Sequence, residues 1–286
     1  MNKVLIFGYG YVARFLSEKI IANGNTVFAT TRDPGKVSAQ IDKLTLIHPD
    51  KVNSKLNDHK GEITHLIVSV PPNESGDLFL KQYKDNLLSM SNLKWIGYLS
   101  ATNVYGDHNG EYVNEFSTLN GTTSKGINRI KAERQWTEYC KENNLPLHIF
   151  RIAGIYGPER NIYERMKLNN FNLIIKNDHY FSRIYISDLV NILFASMKKP
   201  NPIIIYNVAD NMPSSMGDVV DFICQRTSCE IPKKISFKDL DKKQQQDSFY
   251  SENKKINNRL LKEDLGIILK YPSYQEGYEE IIKGDK

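Results

Sequence analysis

The chain has 286 residues, of which 40% are hydrophobic and 25% charged, and a formal net charge of +5. These are ordinary globular values, enough for one large α/β domain or a core with a smaller lobe. No run approaches the ~18 apolar residues of a membrane-spanning helix, so no membrane partner is expected. The positive excess gathers late, in "IPKKISFKDLDKKQQQ" and "ENKKINNRLLK". Acidic residues interrupt both runs and no aromatic ladder accompanies them, which reads as solvated surface and not as a nucleic-acid interface. The first residues enter an apolar strand without a basic leader, so no secretion signal is expected. Cys140, Cys224 and Cys229 show no metal-ligand spacing and suit free thiols in a reducing cytoplasm; no metal site is read.

Strand-like and helix-like segments then alternate. "KVLIFG" (3–8) is a short apolar β run ending in glycine, and Val12, Phe15, Leu16 and Ile20 after it share one helical face. "TVFATT" (26–31), "KLTLIHP" (43–49) and "THLIVSVPP" (64–72) are further strands, the last stopped by its prolines. "DLFLKQYKDNLLSM" (77–90) has helical spacing, "KWIGYLS" (94–100) is a strand, and "SKGINRIKAERQWTEYCKEN" (124–143) is a long polar-faced helix. "PLHIFRIAG" (146–154) is the sixth strand. A short strand and a helix starting near Asp188 follow within 179–197, then the strand "PIIIYNV" (202–208). Strands apolar on both faces, alternating with helices, predict a doubly wound parallel sheet of the Rossmann type.

The strongest local motif is "FGYGYVA", with Gly8, Tyr9, Gly10, Tyr11 and Val12 leading to Ala13 between the first strand and the first helix. The first glycine permits the tight turn and the second lets the backbone approach a pyrophosphate. The small third residue lets helix and strand pack closely, and the helix N-terminus favours the phosphates. At the end of the second strand, where an acid would hold the ribose of NAD, the sequence reads Thr30-Thr31-Arg32-Asp33. Arg32 suits a ribose 2′-phosphate, so NADP is preferred; Asp33 keeps NAD open as the alternative.

These residues resemble the extended short-chain dehydrogenase/reductase family, and more closely its atypical bacterial members that are nucleotide-sugar epimerase-like or NAD(P)-binding. The likeness rests on "GYGYVA", "YLSATNVYGDHNGEYVNE" (98–115), "FRIAGIYGPERN" (150–161), "SRIYISDLV" (182–190), "YNVADNMPSS" (206–215) and "YPSYQEGYEEI" (271–281). It implies a dinucleotide-binding core over 1–153 and 182–212, with a smaller substrate lobe over 154–181 and 213–286. It also implies a small-molecule substrate and pairing into a homodimer. Val70 and Pro71, ending the fourth strand, correspond to the turn near the nicotinamide. His108, Tyr156 and Arg160 correspond to segments that meet substrate, and Arg183 resembles the arginine that meets phosphate groups.

The departures from the family concern its catalytic Ser/Thr and Tyr-x-x-x-Lys set. Counted back from "VYG", the serine or threonine position is Ala101, with Ser100 one residue early and Thr102 one late. One residue on a strand is the opposite face. No tyrosine lies between 113 and 138; the tyrosine position falls near Lys125 and the lysine position near Arg129, which could keep a cationic contact to the ribose. Lys125 would serve as an acid only if buried. Thr102 and Tyr105 are therefore the candidate catalytic groups, and Ser100 and Arg129 candidate cofactor contacts. Two functions stay open: an NADP-dependent oxidoreductase or epimerase-like enzyme on a small polar, possibly sugar-linked substrate, and a silent NADP-binding sensor.

Overall fold

The computed structural model describes residues 1–36, 41–247 and 250–285. The chain begins with β1 (Lys3–Phe7) and α1 (Tyr11–Ala22), whose Ala13, Leu16 and Ile20 turn inward. β2 (Thr26–Thr30), β3 (Leu44–Ile47), α2 (Val52–His59) and β4 (His65–Val68) follow. Then come α3 (Leu78–Leu88), β5 (Trp95–Ala101), the two-residue β6 (Tyr112–Val113), α4 (Ser124–Glu142) and β7 (Leu147–Ile152). Next are β8 (Gly154–Tyr156), α5 (Ile162–Lys167), β9 (Leu173–Ile175) and β10 (Arg183–Tyr185). After α6 (Ile186–Ser196), β11 (Ile203–Val208), α7 (Met216–Arg226) and β12 (Lys234–Ser236) come α8 (Lys242–Asp247) and β13 (Lys255–Ile256). The last elements are α9 (Arg259–Leu265) and α10 (Tyr274–Gly284).

A seven-stranded parallel sheet of order β11-β7-β5-β4-β1-β2-β3 forms the frame. Its order reverses beside β1, the arrangement of a doubly wound fold. All of β4 and all but the last residue of β5 are buried, which is why these strands read as unbroken apolar runs. Phe7 meets Phe79 of α3 edge-on at 5.3 Å between ring centres, and Tyr83 at 5.8 Å. Such aromatic pairs add about 0.5–1.5 kcal/mol beyond the area they bury. α6 begins two residues before the expected start at Asp188. The Asp188 carboxylate does not mark that start; it accepts the Lys270 N–H at 3.0 Å and the Tyr271 N–H at 2.8 Å.

The chain separates into two compact units. The first holds 1–101, 127–151 and 190–206; the second holds 102–126, 152–189 and 207–286. This differs from the division expected of the sequence, because 102–126, 152–153, 182–189 and 207–212 go with the second unit. Hydrogen bonding gives the reason. β6 pairs with β13, β10 pairs with β8, and Glu115 accepts the Asn207 N–H at 2.9 Å.

Candidate functional site

In the first unit, Gly8 follows β1 at φ 108°, a left-handed value that disfavours a side chain. A Cβ there would stand 2.7 Å from Val70 Cγ2 and 2.8 Å from Ser69 Oγ. The Gly8 N–H donates to Thr30 Oγ1 at 2.8 Å, Tyr9 N–H donates to the Thr30 carbonyl at 2.7 Å, and Ser69 Oγ donates to the Gly8 carbonyl at 2.7 Å. The turn is thus held from both neighbouring strand ends. Gly10 is different: it is exposed, and a Cβ on it would meet nothing within 4 Å. It is the N-cap of α1, and no side chain caps that end. A 12-residue helix therefore presents uncapped N–H groups over an open space, the arrangement that suits a pyrophosphate. Tyr11 and Val12 open the helix half-buried, and Arg14 lies over the Phe15 ring at 5.0 Å.

The residue at the end of β2 is Thr30, 4% exposed, with its hydroxyl already holding Gly8. The two residues after it are Thr31 and Arg32, neither of them a carboxylate. Thr31 is half-buried, and its hydroxyl accepts the Asp33 N–H at 3.3 Å. Arg32 is exposed. Val70 is half-buried against Gly8, and Pro71 is exposed.

Around β5 the hydroxyls and charges turn inward. Ser100 is 3% exposed and donates to Glu133 Oε1 of α4 at 2.5 Å. Arg151 of β7 meets the same carboxylate, with Nη2 at 2.8 Å from Oε2 and Nε within 3.3 Å of both oxygens. Ser100 was expected beside the cofactor; its pleat face instead delivers it to α4, and its hydroxyl is taken. Arg129 is half-buried and donates from Nη1 to the Leu99 carbonyl at 3.1 Å, so its expected ribose contact competes with a backbone anchor. Lys125 is exposed, which removes the condition on which it would act as an acid.

In the second unit, Thr102 opens a single 3-10 turn, Thr102–Val104. It is half-buried, and its hydroxyl meets no protein partner among the described residues. Tyr105 is fully buried and donates to Asn207 Oδ1 at 2.6 Å. That hydroxyl, expected as a catalytic acid, lies within a core network that also contains Glu115. Gly106 lies at φ 69°, where a Cβ would collide with the Asn120 carbonyl. Gly126, in the first turn of α4, would press a Cβ to 2.8 Å from the Asn103 carbonyl, so the helix start is packed close on the 3-10 turn. His108 is half-buried, its Nε2 3.3 Å from the Thr118 carbonyl oxygen.

Tyr156 is 5% exposed and donates to the Ser273 carbonyl at 3.3 Å; burial pushes its phenol up. Arg160 is exposed. Arg183 is 7% exposed, and its Nη1 donates to the Phe181 carbonyl at 2.9 Å, the Ser214 carbonyl at 3.2 Å and Ser214 Oγ at 2.7 Å. Asp210 lies in its field and is 1% exposed; burial pushes this carboxyl up to about 7. Neither Asp210 nor Glu133 stands out in the sequence. Glu133 lies in the helix segment "KAERQW", and only its spacing from Arg129, one helical turn, hints that it faces inward. Among the described residues no group of three or more His, Cys, Asp or Glu could hold a metal.

The sequence fits the model of the NAD dependent epimerase/dehydratase family over residues 4–209. It is similar to a functionally unknown conserved protein from Silicibacter pomeroyi DSS, at 36% identity over 99% of both chains and TM-score 0.90. It shares its fold with the UDP-glucuronic acid 4-epimerase of Bacillus cereus in complex with NAD, at 16% identity, 99% and 100% coverage and TM-score 0.77. It also shares it with the UDP-N-acetylglucosamine 4-epimerase of Bacillus cereus, at 15% identity, complete coverage of both chains and TM-score 0.74. No curated protein matches the sequence.

Proposed function

Since the chain belongs to the NAD dependent epimerase/dehydratase family, we propose that it is an NADP(H)-binding oxidoreductase or epimerase-like enzyme. Its substrate on this reading is small, polar and sugar-linked. The observation that carries the cofactor part is the turn at Gly8–Val12, where α1 begins uncapped and Gly10 faces open space. Gly8, Tyr9, Gly10, Tyr11 and Val12 would hold the pyrophosphate, and Thr31 and Arg32 the adenosine ribose and its 2′-phosphate. Thr30 supports NADP over NAD, because the acid that would bind two free ribose hydroxyls is replaced by a buried threonine committed to Gly8. The bound dinucleotide would supply a hydride acceptor or donor.

Of the hydroxyls in "YLSATNVYG" weighed as catalytic, Thr102 keeps its group without a protein partner, so we assign it the contact to the reacting oxygen. His108, Tyr156, Arg160 and Arg183 are assigned to the substrate. The experiment is titration with NADPH and NADH, followed by NADPH oxidation across a panel of nucleotide-linked keto sugars. Tight NADPH binding with turnover that Thr102→Val lowers supports the reading. Failure to bind either dinucleotide rejects it.

A second reading, a silent NADP-binding sensor, is favoured by the commitment of Ser100 to Glu133, Tyr105 to Asn207 and Arg129 to Leu99. Tight NADPH binding with no turnover on the panel would select it. The three cysteines are free, which suits a reducing cytoplasm. We also propose a homodimer through the outward face of α4, where a groove is lined by Ile127, Ile130, Lys131, Arg134, Gln135 and Glu138. Ile127 is 53% exposed, and cations toward the helix start face the anionic Glu138 and Glu142 in an antiparallel pair of copies. Light scattering on the purified chain reads the oligomeric state.

A further inference from the structure

Two observations in the second unit call for a group that the described residues do not supply. Arg183 is buried to within 7% exposure, yet among the described residues none of its contacts is a carboxylate: Nη1 lies on two carbonyls and the Ser214 hydroxyl, and Nη2 reaches Met216 Sδ at 4.0 Å. A buried guanidinium without a counter-charge costs several kcal/mol unless something accepts from it. Asp210 is the second. Its Oδ1 accepts the Met212 N–H at 3.1 Å, while Oδ2 is buried with no hydrogen-bond donor among the described residues. Buried carboxylate oxygens without a donor are rare and mark a missing partner.

The two residues are tied together. Asp210 N–H donates to the carbonyl of Arg183, the first residue of β10, at 2.6 Å, and each side chain lies in the other's field without forming an ion pair among the described residues. One group offers hydrogen-bond donors and the other an acceptor. A phosphate suits the arginine but is repelled by the acid. A hydroxyl suits both, because it accepts from the guanidinium and donates to the carboxylate in one contact. Of the phenols near Arg183, which include Tyr250, Tyr156 donates to the Ser273 carbonyl and Tyr278 accepts the Ile162 N–H at 3.3 Å.

We propose that Arg183 and Asp210 together bind a hydroxyl group of the substrate's sugar, with Arg183 donating to it and Asp210 Oδ2 accepting from it. This rests on the sugar-linked substrate proposed above, and it replaces the phosphate contact that resemblance implies for Arg183.

The test measures binding of UDP, UDP-glucose and its deoxy analogues by calorimetry, with the full chain saturated with NADPH. One deoxy position is expected to bind about tenfold more weakly than UDP-glucose, as a lost hydrogen bond to a charged group predicts. In Asp210→Asn that difference should shrink to within about twofold, while UDP binds both proteins alike. Equal binding of all the deoxy analogues to the wild-type protein overturns the inference and leaves the substrate reading intact, and so does a deoxy penalty that Asp210→Asn does not change. Binding of neither UDP nor UDP-glucose overturns the substrate reading and this inference with it. If Asp210→Asn does not fold, the crystal structure of the UDP-glucose complex decides, a sugar hydroxyl within hydrogen-bond distance of both Arg183 and Asp210 supporting the inference. A crystal structure of the UDP-glucose complex with only a water between Arg183 and Asp210 also overturns it.

Discussion

Two segments of this chain leave a strand of the central sheet and lead into a helix, and they end in opposite states. After β1, the turn at Gly8–Val12 is held at its base by Thr30 and Ser69, and left open above, where α1 starts uncapped. After β5, the comparable segment is closed. Ser100 is taken by Glu133, Tyr105 by Asn207, and the start of α4 packs through Gly126 on the Asn103 carbonyl. The first has backbone donors to give to a ligand. In the second, the hydroxyls of Ser100 and Tyr105 are committed to the fold, while Asn103 Oδ1 is buried without a hydrogen-bond partner among the described residues. One strand end thus keeps backbone donors unspent, and the other spends the hydroxyls of Ser100 and Tyr105 on packing and leaves the half-buried Thr102 hydroxyl without a protein partner among the described residues.

The largest effect expected on the closed segment comes from Glu133→Ala. It strips a buried arginine of its counter-charge, and should cost about 3–5 kcal/mol in a urea unfolding titration. A loss below about 1 kcal/mol would show that the segment is not held by this network. In the same unit as Tyr105, Asp210 gives a pH dependence. Its carboxyl is raised to about 7 by burial, above its unfolded value near ~3.9. Between those two values the folded chain binds more protons than the unfolded one, so stability falls as pH rises from about 4 to 7 and is flat above. The total change is at most about 4 kcal/mol, and Asp210→Asn should remove the slope.

On the open segment, Gly10→Ala should leave stability within about 0.5 kcal/mol, since its Cβ meets no protein atom. It should weaken dinucleotide binding about tenfold, by filling the approach to the pyrophosphate. Equal dinucleotide affinity in wild type and variant would mean that the cradle is not used. The smallest effect belongs to Ser100→Ala. It removes one of the donors to a carboxylate that Arg151 still holds, for about 1–2 kcal/mol of stability. NADPH affinity should stay within about twofold; a larger fall would return Ser100 to the cofactor site.

The sheet was legible because its strands are apolar on both faces and each ends in a turn residue, as in "KVLIFG" and "THLIVSVPP". The glycine turn was legible because Gly8 and Gly10 do different jobs at fixed spacing. The one-residue register argument at Ser100 was readable from period two. What was not legible needed tertiary partners. Glu133 looks like any polar residue of a helix until Arg151 and Ser100 reach it from two strands. Asp210 sits in "NVADNM" with nothing local to mark it as buried. The membership of 102–126 in the second unit depends on pairing with β13, more than a hundred residues later.

The central claim is that the open turn and Arg32 bind NADP. It is tested most directly by titrating the wild-type chain and Arg32→Ala with NADPH and NADH. We expect tighter NADPH than NADH binding in the wild type, and loss of about tenfold of that preference in Arg32→Ala with NADH affinity unchanged. Equal or tighter binding of NADH by the wild type, or a preference that survives Arg32→Ala intact, would contradict it.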